Sequence, residues 1–421
     1  VKAQIRNQQI THVPKVLLVG YNGANNTGAE ALLLADIEDV RTILGHQAVI
    51  TVPTLNEANL RRYLKETPTL RIAPIPPIFF PALRTLVRDH DLILLVEGST
   101  YMDTWTSAML WAYLWATHCA HTMGKPCLAY AVDAGEIRSP LNRQLVPGEA
   151  SKTDLIITRA AAAADRLRSW GVTAPIEITA DNAFTFKTDP ADEGLLRREW
   201  PEAASGVIGL AVVNFYQWPV VMRPWGRRED CYRWPYYHSS SPERRQAASD
   251  LATDYARLAD SIVSEHGRAV ALICMEQLDE PLARQVQSRM AYASQARVFS
   301  SRGYNASQMT TILRSLDLLV TSRYHACVLS MAAQVPQLAV GHDLRLKSIY
   351  DELGLRDQLF VEPHAPNRYQ MVKDRVQRLL ADPAPFRNAL RRGYEDHVAK
   401  ARRNRQLLRA FVQARGWEVA A

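Results

Sequence analysis

Apolar residues in this chain fall into short unbroken runs, separated by polar turns and by stretches with helical spacing. Lys15–Gly20 reads Lys-Val-Leu-Leu-Val-Gly and Asp91–Val96 reads Asp-Leu-Ile-Leu-Leu-Val. Ala48–Val52, Leu70–Ala73, Cys127–Val132, Asp154–Thr158, Glu177–Ala180, Val207–Asn214, Ala269–Met275, Val298–Ser300, Asp317–Thr321 and Gln337–Val340 complete the set. Runs without alternation mark strands buried on both faces, as in parallel sheets. Between them Leu33, Ile37, Val40 and Leu44 repeat at helical spacing. Asn56–Glu66, Ser107–Met123, Pro242–Glu265, Glu280–Tyr292, Asn305–Ser315, His325–Ala333 and Lys347–Leu353 also read as helices, and the proline-rich Pro74–Pro81 as loop. Strand–helix units recurring in both halves predict an α/β protein of two Rossmann-like domains. The boundaries expected are 1–188, a polar linker over 189–205, 206–382, and a C-terminal segment over 383–421 with a basic helix from Pro383 to Arg415.

A chain of 421 residues suits two domains. Its net charge of +7 suits anionic small molecules or an anionic surface. There is no compact nucleic-acid motif, so no nucleic-acid partner is expected. No apolar run is long enough to span a membrane, and Val1–Arg6 lacks the apolar region of a signal peptide. Cys119, Cys127, Cys231, Cys274 and Cys327 are scattered, without a Cys-x-x-Cys pair, which suggests buried thiols in a reducing cytoplasm. No metal-ligand cluster is visible; His118 and His121 read as a lone helical pair.

Chemistry concentrates where strands end, the place where open α/β sheets bind ligands. Arg323 and His325 follow one predicted strand, with Ser322 as a helix cap; His342, Asp343, Arg345 and Lys347 follow the next. A guanidinium offers a rigid fork to carboxylate or phosphate, and a histidine exchanges protons near neutral pH. The structural alternative pairs Arg323 with Asp317 or Asp343 and makes His325 a core residue. Arg159 and Asp181 end strands of the first half and read equally as site or as ion pair. The loop Tyr21–Glu30, with Gly23, Asn26, Gly28 and Glu30, joins a strand to a helix, a layout that aims backbone N–H groups at a ligand. Glu97-Gly98-Ser99-Thr100 ends another strand. Phe215–Ser241 interleaves Trp218, Trp225, Tyr232, Trp234, Tyr236, Tyr237 and His238 with Arg223, Arg227, Arg228 and Arg233, and its prolines argue against a regular element. Trp111, Tyr113 and Trp115 read as core.

These blocks resemble the polysaccharide pyruvyl transferase family. Gly20, Tyr21, Gly23, Asn26, Gly28, Glu30 and Ala31 match its opening motif; Gly124-Lys125-Pro126 is intact; Arg159 and Asp181-Asn182-Ala183-Phe184 parallel two middle blocks. Ser322-Arg323-Tyr324-His325-Ala326, Val335-Pro336, Asp343 and Arg345 are similar to its C-terminal signature. The chain departs from the family at Ala29, Glu97 and Ala160. The resemblance implies a fold like the GT-B glycosyltransferases and transfer of an enolpyruvyl-derived group from phosphoenolpyruvate to two sugar hydroxyls, giving a pyruvate ketal. It implies no cofactor beyond that co-substrate. His325 and Arg323 are then the expected catalytic pair. Arg323, Arg345, Lys347 and Arg159 would bind the donor; Gly23, Asn26, Gly28, Glu30, Glu97 and Ser99 would bind the acceptor. The acceptor expected is a glycan or a lipid-linked sugar, met in the cytoplasm at the inner face of an anionic membrane through the aromatic segment and the basic helix. No feature specifies an oligomeric state. Two alternatives stand beside this: a GT-B glycosyltransferase using a nucleotide-sugar, with Glu276 in its donor pocket, and a non-catalytic glycan-binding protein.

Overall fold

A computed structural model describes residues 13–216, 220–227, 234–239, 241–341 and 343–420. His342, Trp218, Arg228, Tyr232, Arg233 and Cys231 lie outside the described residues. The first sheet contains β1 (Lys15–Val19), β2 (Val49–Thr54), β3 (Leu70–Pro74), β4 (Leu92–Leu95), β5 (Cys127–Val132), β6 (Leu155–Thr158) and β7 (Ile176–Ile178). Its order is β3-β2-β1-β4-β5-β6-β7, with parallel pairing throughout. In the second half come β8 (Val207–Ala211), a hairpin of β9 (Val220–Met222) and β10 (Tyr236–His238), β11 (Ala269–Cys274), β12 (Ala296–Ser300), β13 (Leu318–Thr321), β14 (Gln337–Val340) and β15 (Phe360–Val361). The second sheet runs β12-β11-β8-β13-β14-β15, again parallel. Both sheets therefore reverse direction beside their first strand, the topological switch point at which a crevice opens. The strands are buried along nearly their whole length, which explains their unalternated apolar runs.

The structure corrects three local expectations. The Asn56–Glu66 helix shrinks to Glu57–Leu60, because the Glu66 carboxylate accepts from Ile72 N at 2.8 Å and ties the segment to β3. Pro74–Pro81 is not all loop: a helix spans Phe80–Asp89, with Pro81 in its first turn, where a missing N–H costs nothing. The aromatic segment does hold a regular element, since Pro224 and Pro235 lie between β9 and β10 and outside both strands.

The stretch 189–205 is anchored along its length. Leu195, Leu196 and Trp200 are buried in the second domain's core. The long helix Ala384–Gln413 serves both domains: Phe386, Leu390 and Ala401 pack in the second core, and Leu408, Phe411 and Val412 in the first. Such side chains stabilise by about 1.5–3 kcal/mol each when fully buried. At the crossing point Asn404 Nδ2 donates to Ala180 O at 3.0 Å. No helix of the described residues is long and apolar enough to cross a membrane.

Candidate active site

Four strand-end loops converge between the domains. From the first domain come the loops after β1 (Gly20–Asn26) and β4 (Val96–Thr106); from the second come those after β11 (Met275–Glu276) and β13 (Ser322–Arg323). They are stitched directly to one another. Thr27 N donates to Met275 O at 2.8 Å, Gln277 N to Asn25 O at 3.1 Å, and Ser301 Oγ to Asn25 O at 2.6 Å. The cleft they enclose holds about 1660 Å³ of empty space, its open mouth included.

Its floor is a set of buried arginines, each with its own carboxylates. Arg323 Nε donates to Asp279 Oδ2 at 2.9 Å and its Nη1 meets Glu276 Oε2 at 3.1 Å. Neither Asp317 nor Asp343 is its partner: Asp317 pairs with Arg268 and Asp343 with Arg345. Tyr21 OH donates to Glu276 from across the cleft at 3.2 Å. Burial raises the Glu276 carboxyl to about 7 against the opposing pull of Arg323. Arg159 donates from Nε to Asp133 Oδ2 at 3.0 Å and from Nη1 to Asp181. Its guanidinium carbon lies 4.6 Å from the centre of the Tyr324 ring. Gly98 passes so close that an added Cβ would stand 2.3 Å from Arg159 Nη1.

His325 stands over this network on the short helix Tyr324–Ser330. Its Nε2 faces Asp181 Oδ2 at 3.5 Å and has no hydrogen-bond partner. Burial by itself would raise the Asp181 carboxyl, but Arg159 and His325 overcome this and hold it well below the ordinary carboxylate range. A firmly ionised carboxylate thus backs one ring nitrogen. The other, Nδ1, is turned towards Gly28, where an added Cβ would sit 2.0 Å away. Only glycine permits the first turn of the helix Thr27–Leu44 to approach the imidazole so closely. Arg345 completes the group. Asp343 accepts from its Nε at 2.9 Å and from its Nη2 at 2.6 Å, and its Nη1 reaches Ser99 Oγ across the cleft at 3.3 Å. Trp105 and Tyr324 lie within 5.8 Å and 5.7 Å of the guanidinium.

The cleft brings together Arg323, His325, Arg345, Gly23, Asn26, Gly28, Glu97 and Ser99 among the residues expected from the sequence. Three others lie off its surface. Arg159 is beneath it, bound to Asp133 and Asp181. Lys347 pairs with Glu362 at 3.4 Å. Glu30 bonds to Arg62 and accepts from Ala306 N of the second domain at 3.0 Å. Burial lifts the Glu30 carboxyl to about 8, with Arg62 opposing. Asn26 lines the cleft but spends its side-chain oxygen on Ala29 N at 3.1 Å, capping the helix Thr27–Leu44. Sequence reasoning missed Asp279 as the partner of Arg323, Tyr324 between two guanidiniums, and a whole apolar wall. That wall comprises Ile75, Phe79, Leu83, Ala108, Met109, Ala112 and Tyr236. Leu83 and Val87, one helical turn apart and both buried, were the available signal.

Solved structures of the same architecture are numerous. HepE from Anabaena in complex with UDP-glucose is 12% identical, with a TM-score of 0.58 over 95% of this chain and 99% of that one. The UDP-GlcNAc 2-epimerase from Neisseria meningitidis bound to UDP-GlcNAc is 9% identical, with a TM-score of 0.59 over 94% and 99%. The S. aureus MnaA–UDP structure is 11% identical, with a TM-score of 0.58 over 92% and 94%. At such identities the likeness is one of fold: two Rossmann-like domains facing across a cleft, as in the GT-B enzymes. No curated protein matches the chain. The family model for polysaccharide pyruvyl transferase matches residues 26–343. That span runs from the loop against His325, through Arg159 and Asp181, to the carboxylate that holds Arg345, and the chain belongs to the polysaccharide pyruvyl transferase family.

Proposed function

We propose that the cleft transfers a pyruvyl unit from phosphoenolpyruvate to two hydroxyls of a glycan sugar, with His325 as the acid/base. The observation that carries this reading is the Asp181–His325 pair, an imidazole backed by an ionised carboxylate at the meeting point of both domains. In the step proposed, the vinyl methylene of the donor takes a proton and becomes a methyl group. A sugar oxygen bonds to the carbon that carried the phosphate, and that hydroxyl gives up its proton. The C–O bond to phosphate then breaks, and a second hydroxyl closes the ketal as its proton leaves with phosphate. Asp181, 3.5 Å from Nε2, orients the ring, the logic by which a buried carboxylate supports a catalytic histidine. Arg345 is the arginine placed to receive the donor's anionic groups. It lines the cleft and already donates to Ser99 on the opposite wall. Arg323 is engaged by two carboxylates, so its part is to hold the floor. The test is phosphate release from phosphoenolpyruvate with a panel of glycans. Glycan-dependent release, lost in His325→Ala, is expected. Glycan-dependent consumption of UDP-glucose without any use of phosphoenolpyruvate would overturn the reading. That second reading, sugar transfer from a nucleotide-sugar, is favoured by the solved structures that hold UDP-glucose and UDP.

We also propose that the protein works in the cytoplasm and meets its acceptor at an anionic membrane. Trp225 and Trp234 beside the hairpin are 76% and 57% exposed, and Met222 is exposed with them. Amphipathic rings of this kind suit a membrane interface. The basic helix contributes less than its composition suggests: Arg391, Lys400, Arg403 and Arg405 pair with Glu395, Asp396, Glu177 and Asp39. Co-sedimentation with anionic vesicles, weakened in Trp225→Ala/Trp234→Ala, is expected. Equal recovery in the supernatant with anionic and neutral lipid at low salt would refute the contact.

A further inference from the structure

A second concavity shares no lining residue with the cleft. It lies where the chain crosses between the domains. The first crossing, 179–194, leads from β7 into the second domain, and the helix Ala384–Gln413 is the second. The two are tied where they meet: Thr179 Oγ1 donates to Asn404 Oδ1 at 2.5 Å, and Asn404 Nδ2 to Ala180 O at 3.0 Å. The groove beside them holds about 1160 Å³ of empty space, its open mouth included. One wall is apolar: Phe184 and Phe186 are buried, and the half-buried Tyr394 ring lies 6.2 Å from that of Phe184. The rest is basic. Arg402, Arg405 and Arg409 follow Tyr394 and Val398 along one face of the helix, at spacings of three and four. Lys187 joins them from the first crossing.

These cations are not matched as others on the same helix are. Arg391, Lys400 and Arg403 each pair with a carboxylate. Among the described residues that line the groove, Asp39 is the one carboxylate, and Arg405, Tyr130 and Asn182 already donate to it. Arg409 donates to a backbone oxygen, that of Ala420, at 3.1 Å. Lys187 and Arg402 are exposed, and among the described residues no hydrogen bond or ion pair engages their side chains. Like charges stacked at helical spacing repel one another, and an anion among them removes that cost. Arg402 and Arg409 stand seven residues apart, about 10 Å along the helix, so a diphosphate covers more of the row than a single phosphate does.

We propose that this groove binds a small molecule carrying adjacent phosphates and a flat ring, the chemistry of a nucleoside diphosphate, and that its occupant clamps the two segments joining the domains. The phosphates lie among Lys187, Arg402 and Arg409, and the ring lies against Tyr394. The site is independent of what the cleft transfers. It is not isolated from the cleft, however. Asp39, which holds Arg405, also accepts from Asn182 Nδ2 at 3.0 Å, and Asn182 directly follows Asp181, the carboxylate that faces His325. A bilayer surface would meet the exposed cations but leave the apolar wall uncovered, whereas a ring enters and covers it.

The experiment uses ADP, inorganic pyrophosphate and phosphatidylglycerol vesicles with the full-length protein. In calorimetry ADP should bind about tenfold more tightly than pyrophosphate, the gain from covering one face of a ring. Lys187→Glu/Arg402→Glu, at two exposed positions, should weaken ADP about a hundredfold, as loss of two charge-assisted contacts does. Arg345→Ala, in the cleft, should leave ADP binding unchanged. Hydrogen exchange should slow on ADP binding in 182–187 and in 394–409 together. Absence of ADP binding overturns the proposal. So does binding lost in Arg345→Ala and kept in the double variant, which would put ADP in the cleft. Equal affinity for pyrophosphate and ADP would overturn the ring-bearing ligand, and protection in one segment without the other would overturn the clamp. Vesicle binding that the double variant abolishes, with no ADP binding, would assign the cations to a membrane surface instead.

Discussion

Arg159 and Arg345 are both buried arginines under one tyrosine ring, yet they do different work. Arg159 comes from the end of β6 and is enclosed by Asp133 and Asp181, with its own side chain almost inaccessible. Arg345 comes from the start of the helix Leu344–Glu352, is paired to a single residue's carboxylate, and keeps 15% of its side chain exposed. The first is structural charge: it fixes Asp181, and through Asp181 it sets the ring of His325. The second is charge held ready at a surface. A cation that neutralises two carboxylates in the dark of the protein has little left to offer a ligand, whereas one that shares a single carboxylate partner and borders the cleft still does.

Breaking each side of this comparison gives effects of decreasing size. Arg159→Ala strands Asp133 and Asp181 in a buried site, and removing one partner of a buried charge pair costs about 3–5 kcal/mol. Urea unfolding should show that loss; a change below about 1 kcal/mol would mean the network is not structural. His325→Ala should leave stability nearly intact and lower turnover by about a hundredfold or more, as loss of a general acid/base does. Unchanged turnover would remove His325 from the mechanism. Arg345→Ala should raise KM for the donor by about tenfold, the order expected for one charge-assisted contact at a partly exposed site. If Arg323→Ala raised KM more at unchanged stability, the roles given to Arg323 and Arg345 would be reversed.

The smallest effect concerns pH. The Glu30 carboxyl, ordinarily near 4.5, is raised to about 8 in the fold by burial, with Arg62 opposing. Its protonated form is the one the folded state favours. This contribution is therefore fully present below about 4.5 and is lost as pH rises through about 8. Glu276 acts in the same sense up to about 7. Thermal unfolding between pH 5 and pH 8.5 should show stability falling as pH rises, and Glu30→Gln should shallow that fall. An identical slope in the variant would show that Glu30 titrates in the fold as it does in the unfolded chain.

The two arginines also show what a sequence reveals. Both end predicted strand–helix turns, so their placement at the sheet edges was legible from apolar runs alone, as were the two-domain class and the cleft between them. The Arg159–Asp181 ion pair was legible as well; the partners of Arg323 and His325 were not. Asp279 and Glu276 reach Arg323 from the segment after β11, two strands away in the sheet, and Asp181 reaches His325 from the other domain, over sequence separations that no local spacing records. The apolar wall was hidden for a different reason. Its first residues, Ile75 and Phe79, sit in a proline-rich stretch that reads as loop, and the helix after it starts with a proline in the one place where proline is harmless. The hairpin was hidden by the same residue type: Pro224 and Pro235 stand in the long connection between its strands and outside both.

The closing helix, which lends Leu408, Phe411 and Val412 to the first domain's core, has a consequence for how the chain is made. During synthesis the first domain leaves the ribosome with its seven strands complete but with part of its apolar surface open, and that surface stays open until this helix emerges. Past the helix, Ala420 N donates to Ile43 O at 2.7 Å and covers the same face. Domain-by-domain folding from the N-terminus, the usual order, is thus suspended here at a half-closed stage. A polypeptide released before the turns that carry Leu408, Phe411 and Val412 would expose a sticky patch that the closed fold hides, and quality-control machinery that recognises such patches would distinguish the two.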